Sequence, residues 1–387
     1  SSPSSTTSST SPDVHINALA SIFSSVDSDT LMALVAAYGQ EEAKTILETQ
    51  SAPPPPTTTT TTTTAAPPSI AGVGCLRLLS WNIWFEPLCM PQRLQSICDT
   101  ITRTQPDVVC LQEVTRASLA MLQQGISREY QLIASTLAQQ TSYFVVLFYR
   151  VKTVSVRNDD YHSFSNSIMG RGLLSCQVAL NSSSLENGKK IWSTIGTVHL
   201  ESFVPSVDTS APRQQQLATA TQALCHKGGE GAGIYLMGDL NWKDPTQKQN
   251  NDGPCLEACR SNGGGCSWKD AWVDTHNMKK SEQAGFTLDG KLNGMLTYHY
   301  RSRIDRCLYT VGGRASSSLS TSSTSSSAST ASSSSSSSVA IAATRLLGTV
   351  RIQPEQSFSK TLRSGQTKKN LPVFPSDHFG LQIDVHV

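Results

Sequence analysis

The spacing of apolar positions divides this chain into stretches of different character. From Val14 to Gln50 apolar residues recur at helical intervals. Leu19, Ile22 and Phe23 fall at i, i+3 and i+4, as do Leu31, Leu34 and Val35, and Ile46 with Leu47 supplies a third face. Ser28 or Asp29 can cap the second of these segments and Gly39 can end it. Residues 14–50 therefore read as a small three-helix bundle behind a polar, disordered tail at 1–13. Residues 51–70, with the run APPPPTTTTTTTTAAPP, have no apolar pattern and read as a stiff, extended linker. From 71 to 387 the pattern becomes short apolar runs: CLRLLSW, DVVCLQ, YFVVLFYR, LLSCQVAL, IWSTIGTVHL, GIYLMGD, RIDRCLYT and FGLQIDVHV. Helical patterns appear in PQRLQSICDTITRTQ and PRQQQLATATQALCHK. Many strands with few helices predict an α/β fold of two packed sheets flanked by helices. A serine-rich run at about 312–338 cannot pack and is expected to loop out between two strands.

Polar residues interrupt the apolar runs at their ends. Ser80-Trp81-Asn82, Gln112-Glu113, His199-Leu200-Glu201, Gly238-Asp239-Leu240-Asn241 and Ser376-Asp377-His378 each stand at the edge of an expected strand. A single Asn or Asp at such a place is ordinarily a turn residue, and a lone His is ordinarily structural. Strand ends on one edge of packed sheets converge on one cleft, so these clusters can meet. In this order they resemble the motif series of the endonuclease/exonuclease/phosphatase superfamily: WN, QE, a strand-end His, GDxN and SDH. The series runs from Trp81 to His378. It implies a four-layer α/β/β/α sandwich of two mixed β-sheets flanked by helices, and phosphoester hydrolysis.

That chemistry accounts for the residue types. A phosphodiester repels an attacking water unless its charge is neutralised, which a hard cation with oxygen ligands does. Glu113 is the expected ligand for Mg²⁺, with Mn²⁺ a substitute, and Asn82 supports it. Asp239 is placed to orient or deprotonate the water, and Asn241 to hydrogen-bond the phosphoryl oxygens. His378 would stabilise charge developing on phosphorus. A carboxylate must hold that imidazole, and Asp305 in RIDR is the better candidate because Asp377 adjoins His378 in sequence. His199 offers a further donor to the phosphate.

Between the motifs, LQEVT, FSNSIMGRGLLSCQV, HLES, GDLNWKD, SRIDR and FPSDHFGL resemble the 5′-tyrosyl-DNA phosphodiesterase (tyrosyl-DNA phosphodiesterase 2) family. The resemblance implies removal of a topoisomerase-derived tyrosine or peptide from a DNA 5′-phosphate, with RNA 5′ ends as a related substrate. It assigns Asn82, Glu113, Asp239, Asn241, Asp305 and His378 to the catalytic set, and Arg171 and Ser202 to the phosphate. Lys243 and Asp377 join the substrate-binding residues. Three positions depart from the family pattern: Trp84 stands where an acid is usual, Lys243 replaces an arginine, and Leu288 replaces an active-site tryptophan. Leu288 leaves Arg171 without an indole face for a cation–π contact, and lysine lacks arginine's bidentate fork. The order bundle, linker, catalytic domain also fits that family. Residues 14–50 resemble ubiquitin-associated and CUE-type modules, although the turn reads Ile22-Phe23-Ser24 without a proline, and this implies ubiquitin as a partner.

Composition adds limits. Of the 387 residues 38% are hydrophobic and the net charge is +2, so any nucleic acid must be gripped locally rather than by a general basic excess. No run approaches the roughly 18 apolar residues that span a bilayer, and no secretory leader is visible; no membrane association is expected. The ten cysteines are scattered, which points to reduced thiols inside the cell. Cys255, Cys259 and Cys266 lack a fourth zinc ligand other than His276 and read as free thiols. Trp268 and Trp272, four apart, suit one helix face. A monomer, nuclear through its repair role with the cytoplasm also open to it, is the expectation. Two other readings stay open: an abasic endonuclease, deadenylase or lipid phosphoesterase of the same superfamily, and a ubiquitin-binding adapter with weak catalysis. The complete acidic and histidine set argues against the adapter; Trp84 is the feature in its favour.

Overall fold

The computed structural model describes residues 74–182, 190–204, 207–228, 233–243, 254–260, 266–276, 285–296, 300–311, 340–361 and 367–387. The expected tail, helical bundle, linker and serine-rich insertion lie outside the described residues. The first half holds β1 (Cys75–Asn82), α1 (Met90–Thr104), β2 (Val108–Val114), α2 (Arg116–Ile126), β3 (Tyr130–Ile133), β4 (Phe144–Arg150), β5 (Val154–Ser163), β6 (Gly172–Leu180) and β7 (Ser193–His199). Next come α3 (Ser210–Lys227), β8 (Gly233–Asp239), α4 (Cys255–Arg260), β9 (Lys269–Asp270), α5 (Ala271–Thr275), β10 (Leu288–Asp289), β11 (Arg301–Ser302) and β12 (Asp305–Val311). The chain closes with β13 (Ala340–Leu347), β14 (Ser357–Thr361), β15 (Thr367–Pro372) and β16 (Gly380–His386).

Two six-stranded sheets carry the fold, in the orders β13-β16-β1-β2-β4-β3 and β5-β6-β7-β8-β12-β9. The β1–β2 and β7–β8 pairs are parallel while their other neighbours are antiparallel, so both sheets are mixed. Strand parity sorts the side chains into layers. In β1, Leu79 and Trp81 face a core shared with Leu94, Ile97 and Ile101 of α1 and with Leu119 and Leu122 of α2. Leu76 and Leu78 face the other way, into a core that also takes Leu174 and Cys176 of β6, Tyr235 and Met237 of β8 and Ile383 of β16. The alternate residues of β8, Ile234 and Leu236, pack under Leu217, Ala220 and Leu224 of α3. The layers are helices, sheet, sheet, helices, as the family resemblance implied. Each fully buried Leu, Ile or Met side chain among these contributes on the order of 1.5–3 kcal/mol.

The eight strands and two helices read from the sequence between 71 and 387 are all present. The elements it missed are α2, marked only by the reciprocal Thr115–Ser118 cap, and the short or exposed pieces β3, β5, β9–β11, β13–β15, α4 and α5. Trp268 and Trp272 do not share a helix face. The two-residue strand β9 lies between them, so Trp268 enters the outer core and Trp272 the inter-sheet core, where its ring stacks on His276 at 4.0 Å. One pair of cysteines differs from expectation, while Cys255 and Cys259 are free thiols as expected. Cys225, at the end of α3, is disulfide-bonded to Cys266 across 41 residues, and Cys255 and Cys259 are buried in the outer core. His276, held against Trp272, does not join them in a metal site. Among the described residues no helix is long and apolar enough to cross a membrane.

Gly238, beside the motif residue Asp239, has φ +144° and runs so close to β7 that a Cβ would lie 1.9 Å from the Val198 carbonyl oxygen. Neither that φ nor that approach tolerates a side chain. Gly238→Ala should cost about 3 kcal/mol or more, read by urea unfolding; an unchanged midpoint would contradict the close approach.

Candidate active site

The parity that builds the inter-sheet core also aims the polar strand ends. Ser80 and Asn82 continue the Leu76–Leu78 side of β1, Gln112 the Cys110 side of β2, His199 the Ile195 side of β7, Asp239 the Tyr235–Met237 side of β8, and Asp305 the Cys307 side of β12. All of them therefore enter the space between the sheets at one edge. The paired registers Asn82↔Gln112, His199↔Asp239 and Asp239↔Asp305 put these strand ends side by side. Behind them Gln112 Nε2 donates to Ser80 Oγ at 3.2 Å and to Thr197 Oγ1 at 3.0 Å, a polar bridge between the sheets.

Glu113 has the wrong parity to join them. It does so because the chain takes φ 59° there, inside a register shift between Leu111 and Val114 in the β2–β4 pairing. A bulge of this kind re-aims one side chain. The Asn82 amide then ties the two key acids together: Nδ2 donates to Glu113 Oε1 and to Asp239 Oδ2, both at 3.0 Å. Glu113 Oε2 accepts the Phe85 N–H at 3.1 Å, and Asp239 Oδ1 accepts the Asn241 N–H at 2.9 Å. Burial, followed by the Asp377 carboxylate, pushes Glu113 up to about 7, against the opposing effects of His378 and Asn82. Burial and the Asp305 carboxylate push Asp239 up to about 6.

The two histidines are set in opposite charge states. His378 Nδ1 lies 2.8 Å from Asp305 Oδ2. Burial disfavours its charge, but the Asp305, Asp377 and Asp239 carboxylates together hold its pKa well above the ordinary value. It is therefore an imidazolium donating Nδ1–H to Asp305, the carboxylate expected from the sequence to hold it. Asp377 is half-buried with its Oδ1 4.0 Å from His378 Nε2. Burial, then the Arg171 guanidinium and His378, hold His199 well below the ordinary value. Arg171 Nη1 lies 3.0 Å from His199 Nδ1. A guanidinium can only donate, so Nδ1 accepts and the ring proton sits on Nε2. That nitrogen faces Asp239 Oδ2 at 3.5 Å and Ser202 Oγ at 3.5 Å.

Arg171 Nη2 donates to Ser202 Oγ and to Tyr143 Oη, both at 3.1 Å, and its guanidinium lies 4.8 Å from the Tyr143 ring centroid. The aromatic partner that Leu288 could not supply is Tyr143, whose other neighbour is Phe85, stacked at 4.7 Å. Asn241 Nδ2 reaches the Leu200 carbonyl at 3.1 Å and Ser202 Oγ at 3.2 Å. Lys243 is farther out, with Nζ 5.4 Å from the Phe203 ring centroid and 5.9 Å from that of Tyr300. Trp84 turns away at φ 60° into the apolar cluster of Met295, Phe374 and Phe379, under the Arg93 guanidinium at 4.9 Å. It contributes its N–H to Asn82 Oδ1 at 3.0 Å and no oxygen ligand.

Sequence reasoning missed several supporting residues. Arg93, fully buried in α1, donates to the carbonyls of Leu88, Ile83, Pro375, Trp84 and Glu86, fixing the loop after Asn82 and the approach to the SDH segment. Buried Glu201 accepts from Ser167 Oγ at 2.8 Å, Met169 N at 3.0 Å and Gln216 Nε2 at 2.8 Å; Ser167 Oγ in turn accepts the Arg171 N–H at 2.8 Å. Glu201 thus seats the loop that delivers Arg171. The SDH segment is pinned by Ser376 Oγ to the Asn82 carbonyl at 2.7 Å, by Asn293 Nδ2 to the Ser376 carbonyl at 2.8 Å, and by Trp81 Nε1 to the His378 carbonyl at 3.0 Å. The nearest signal for these was HLES itself, where Glu201 follows the strand-end histidine.

The donor set fits a hard divalent cation. Glu113, Asp239, Asp305 and Asp377 converge on the cleft with their negative charge opposed mainly by His378 and Arg171, and Asp305 Oδ1 is buried without a hydrogen-bond partner. Among the described residues the groupings compact enough for a metal are Glu113–His199–Asp239 and Asp239–Asp305–His378. Oxygen-rich sites of this charge suit Mg²⁺-like ions.

The chain matches the Endonuclease/Exonuclease/phosphatase family over residues 79–378. It is 28% identical to tyrosyl-DNA phosphodiesterase 2 of Rattus norvegicus over 170 residues, 44% of this chain and 42% of that protein. Against the Mus musculus protein of the same name it is 26% identical over 237 residues, 60% and 56% of the two chains. The chain spans about half the length of the curated relatives it matches. Among solved structures it resembles D. rerio TDP2 complexed with single strand DNA product, with TM-score 0.56 and 22% identity over 81% of this chain and 99% of that one. It also resembles a mannosyl-6-phosphatase of Bacteroides thetaiotaomicron, with TM-score 0.54 and 13% identity over 81% and 100%.

The raised carboxyls have a sign. Glu113 keeps its proton from its ordinary 4.5 up to about 7, so the cation-free protein is favoured by this group at low pH and loses that stabilisation as the pH rises through 7. A cation needs the ionised form. The rise in Tm on adding Mg²⁺ should therefore be larger at pH 8 than at pH 6 in differential scanning calorimetry, and nearly absent in Glu113→Gln. Equal shifts at both pH values would place the cation elsewhere.

Proposed function

This chain belongs to the endonuclease/exonuclease/phosphatase family, and on that basis we propose that it is a Mg²⁺-dependent phosphodiesterase that hydrolyses the bond between a tyrosine and the 5′-phosphate of DNA. The observation that carries the reading is the donor cluster of Arg171, His199 Nε2, Ser202 and Asn241 facing the Asn82-linked pair Glu113–Asp239. It presents hydrogen-bond donors for phosphoryl oxygens on one side and a base on the other. The substrate choice is supported by the named relatives and by the FSNSIMGRGLLSCQV and HLES segments. RNA 5′ ends with the same linkage present the same phosphoryl chemistry.

Glu113 and Asn82 would hold the cation, which when bound neutralises phosphoryl charge. The chain's own residues supply the rest. Asp239, ionised for the most part above its pKa of about 6, takes the proton of the attacking water. The water oxygen bonds to phosphorus as the phosphorus–tyrosyl oxygen bond breaks on the opposite side, giving a 5′-phosphate and tyrosine. The leaving phenol, with an ordinary pKa of about 10, departs more readily than a sugar alcohol. The His378 imidazolium stabilises the charge on the phosphoryl group through Nε2–H, while Asp305 keeps the ring charged and oriented. Arg171, Ser202 and His199 grip the remaining oxygens.

A short oligonucleotide bearing 5′-phosphotyrosine should release tyrosine in Mg²⁺ and not in EDTA, leaving a 5′-phosphate. Asp239→Asn should reduce the rate by roughly 10²–10⁴-fold. Cleavage of abasic DNA, a poly(A) tail or a sugar phosphate with no tyrosine release would overturn the substrate assignment and keep the family chemistry.

A further inference from the structure

The whole-chain charge of +2 conceals a local concentration. Between Ala340 and Pro375 the described residues include Arg345, Arg351, Lys360, Lys368 and Lys369 against one acid, Glu355. Arg345 is answered by Asp384 at 3.7 Å and Arg351 by Glu355 at 2.9 Å. The three lysines lie on β14 and β15, which pair only with each other as a separate two-stranded sheet. Lys360 and Lys369 are exposed and Lys368 is half-buried. In the antiparallel register Lys360 stands directly opposite Lys368.

This hairpin is docked at the cleft. Phe358 of β14 packs on the cluster of Met295, Val373, Phe374 and Phe379 that also receives Trp84. Pro372, the last residue of β15, abuts Gly294, whose neighbour Asn293 holds the Ser376 carbonyl. Val373 N donates to the Gln356 carbonyl at 3.1 Å, closing the hairpin base a few residues before His378.

We infer that the β14–β15 hairpin is a phosphate-backbone contact for the nucleic-acid strand whose 5′ end occupies the active site. The inference rests on the nucleic-acid reading above and adds the part of the substrate that lies beyond the scissile phosphate. Charge complementarity selects the occupant: the substrate is a polyanion leading away from the cleft, and the hairpin whose base packs beside that cleft carries three lysines. A lysine surface of this kind reads no sequence. It lowers the dissociation constant for longer strands and leaves turnover of the terminal nucleotide alone.

The test is fluorescence anisotropy of a labelled 15-nucleotide single strand at 50–200 mM NaCl, with the full chain and its Lys360→Ala/Lys368→Ala/Lys369→Ala variant. Weaker binding is expected, with a slope of log K against log salt about 2 units shallower, near 0.7 for each lysine–phosphate pair removed. The triple arginine replacement should retain the native slope. Turnover of p-nitrophenyl thymidine 5′-phosphate, which has no strand to bind, should be the same in all three proteins. An unchanged slope in the alanine variant overturns the inference, as does loss of binding to anionic vesicles without loss of binding to the oligonucleotide. Because binding is read without turnover, failure of tyrosine release would count against the proposed reaction and leave this result standing.

Discussion

The structure turns on one electrostatic constraint: Glu113, Asp239 and Asp305 must coexist between two apolar sheets. Burying an ionised carboxylate is costly unless it is hydrogen-bonded or paired. The Asn82 amide bonds two of these groups at once, and the His378 imidazolium sits within 2.8 Å of Asp305 and 3.9 Å of Asp239. Part of the cost is left unrelieved, as the raised Glu113 and Asp239 pKa values record. That residue of unfavourable charge is what a divalent cation bound in the cleft would compensate.

Holding such a site requires rigid surroundings. Arg93 is a buried guanidinium with carbonyl acceptors from both sides of the cleft wall, so it ties the loop after β1 and the segment before Ser376 to α1. On the opposite wall, Glu201 acts through Ser167 on the backbone of Arg171. Both are charged side chains spent on backbone geometry rather than on substrate. Removing either would leave polar groups buried without partners, which is worse than never having introduced them. Trp84 belongs to the same logic. Where the family pattern has an acid, this chain carries an indole that packs under Arg93, so the wall is stiffened apolarly and Glu113 with Asn82 is left as the proposed cation ligand on that side.

How much of this was legible beforehand depends on range. Strand alternation, the WN, QE, GDxN and SDH boundaries, and the pairing of His378 with Asp305 follow from local pattern and from the family resemblance. The Tyr143 ring under Arg171 did not, because the residues lie 28 apart with no shared periodicity. Position 288 indeed offers no indole face, and a phenol ring from a distant strand end takes its place. The Cys225–Cys266 bond escaped for the same reason: α3 and the segment before Trp268 are neighbours only after the outer core closes over them. The basic hairpin was legible as charge but not as a place, since only its packing against Phe379 brings it to the cleft.

The sequence by itself determined which residues could do phosphoester chemistry and that strands would carry them, because a period of two and a polar strand end are properties of adjacent residues. The tertiary structure decided that Glu113 faces the cleft at all. Its parity, that of Val109 and Leu111, points it into the core under α1 and α2, and only the bulge opposite β4, with φ 59°, turns it inward. It likewise decided the charge states of His199 and His378, two imidazoles of identical intrinsic chemistry. One is packed against a guanidinium and the other among carboxylates. Such choices arise from fields and contacts between segments distant along the chain, and local periodicity carries no information about them.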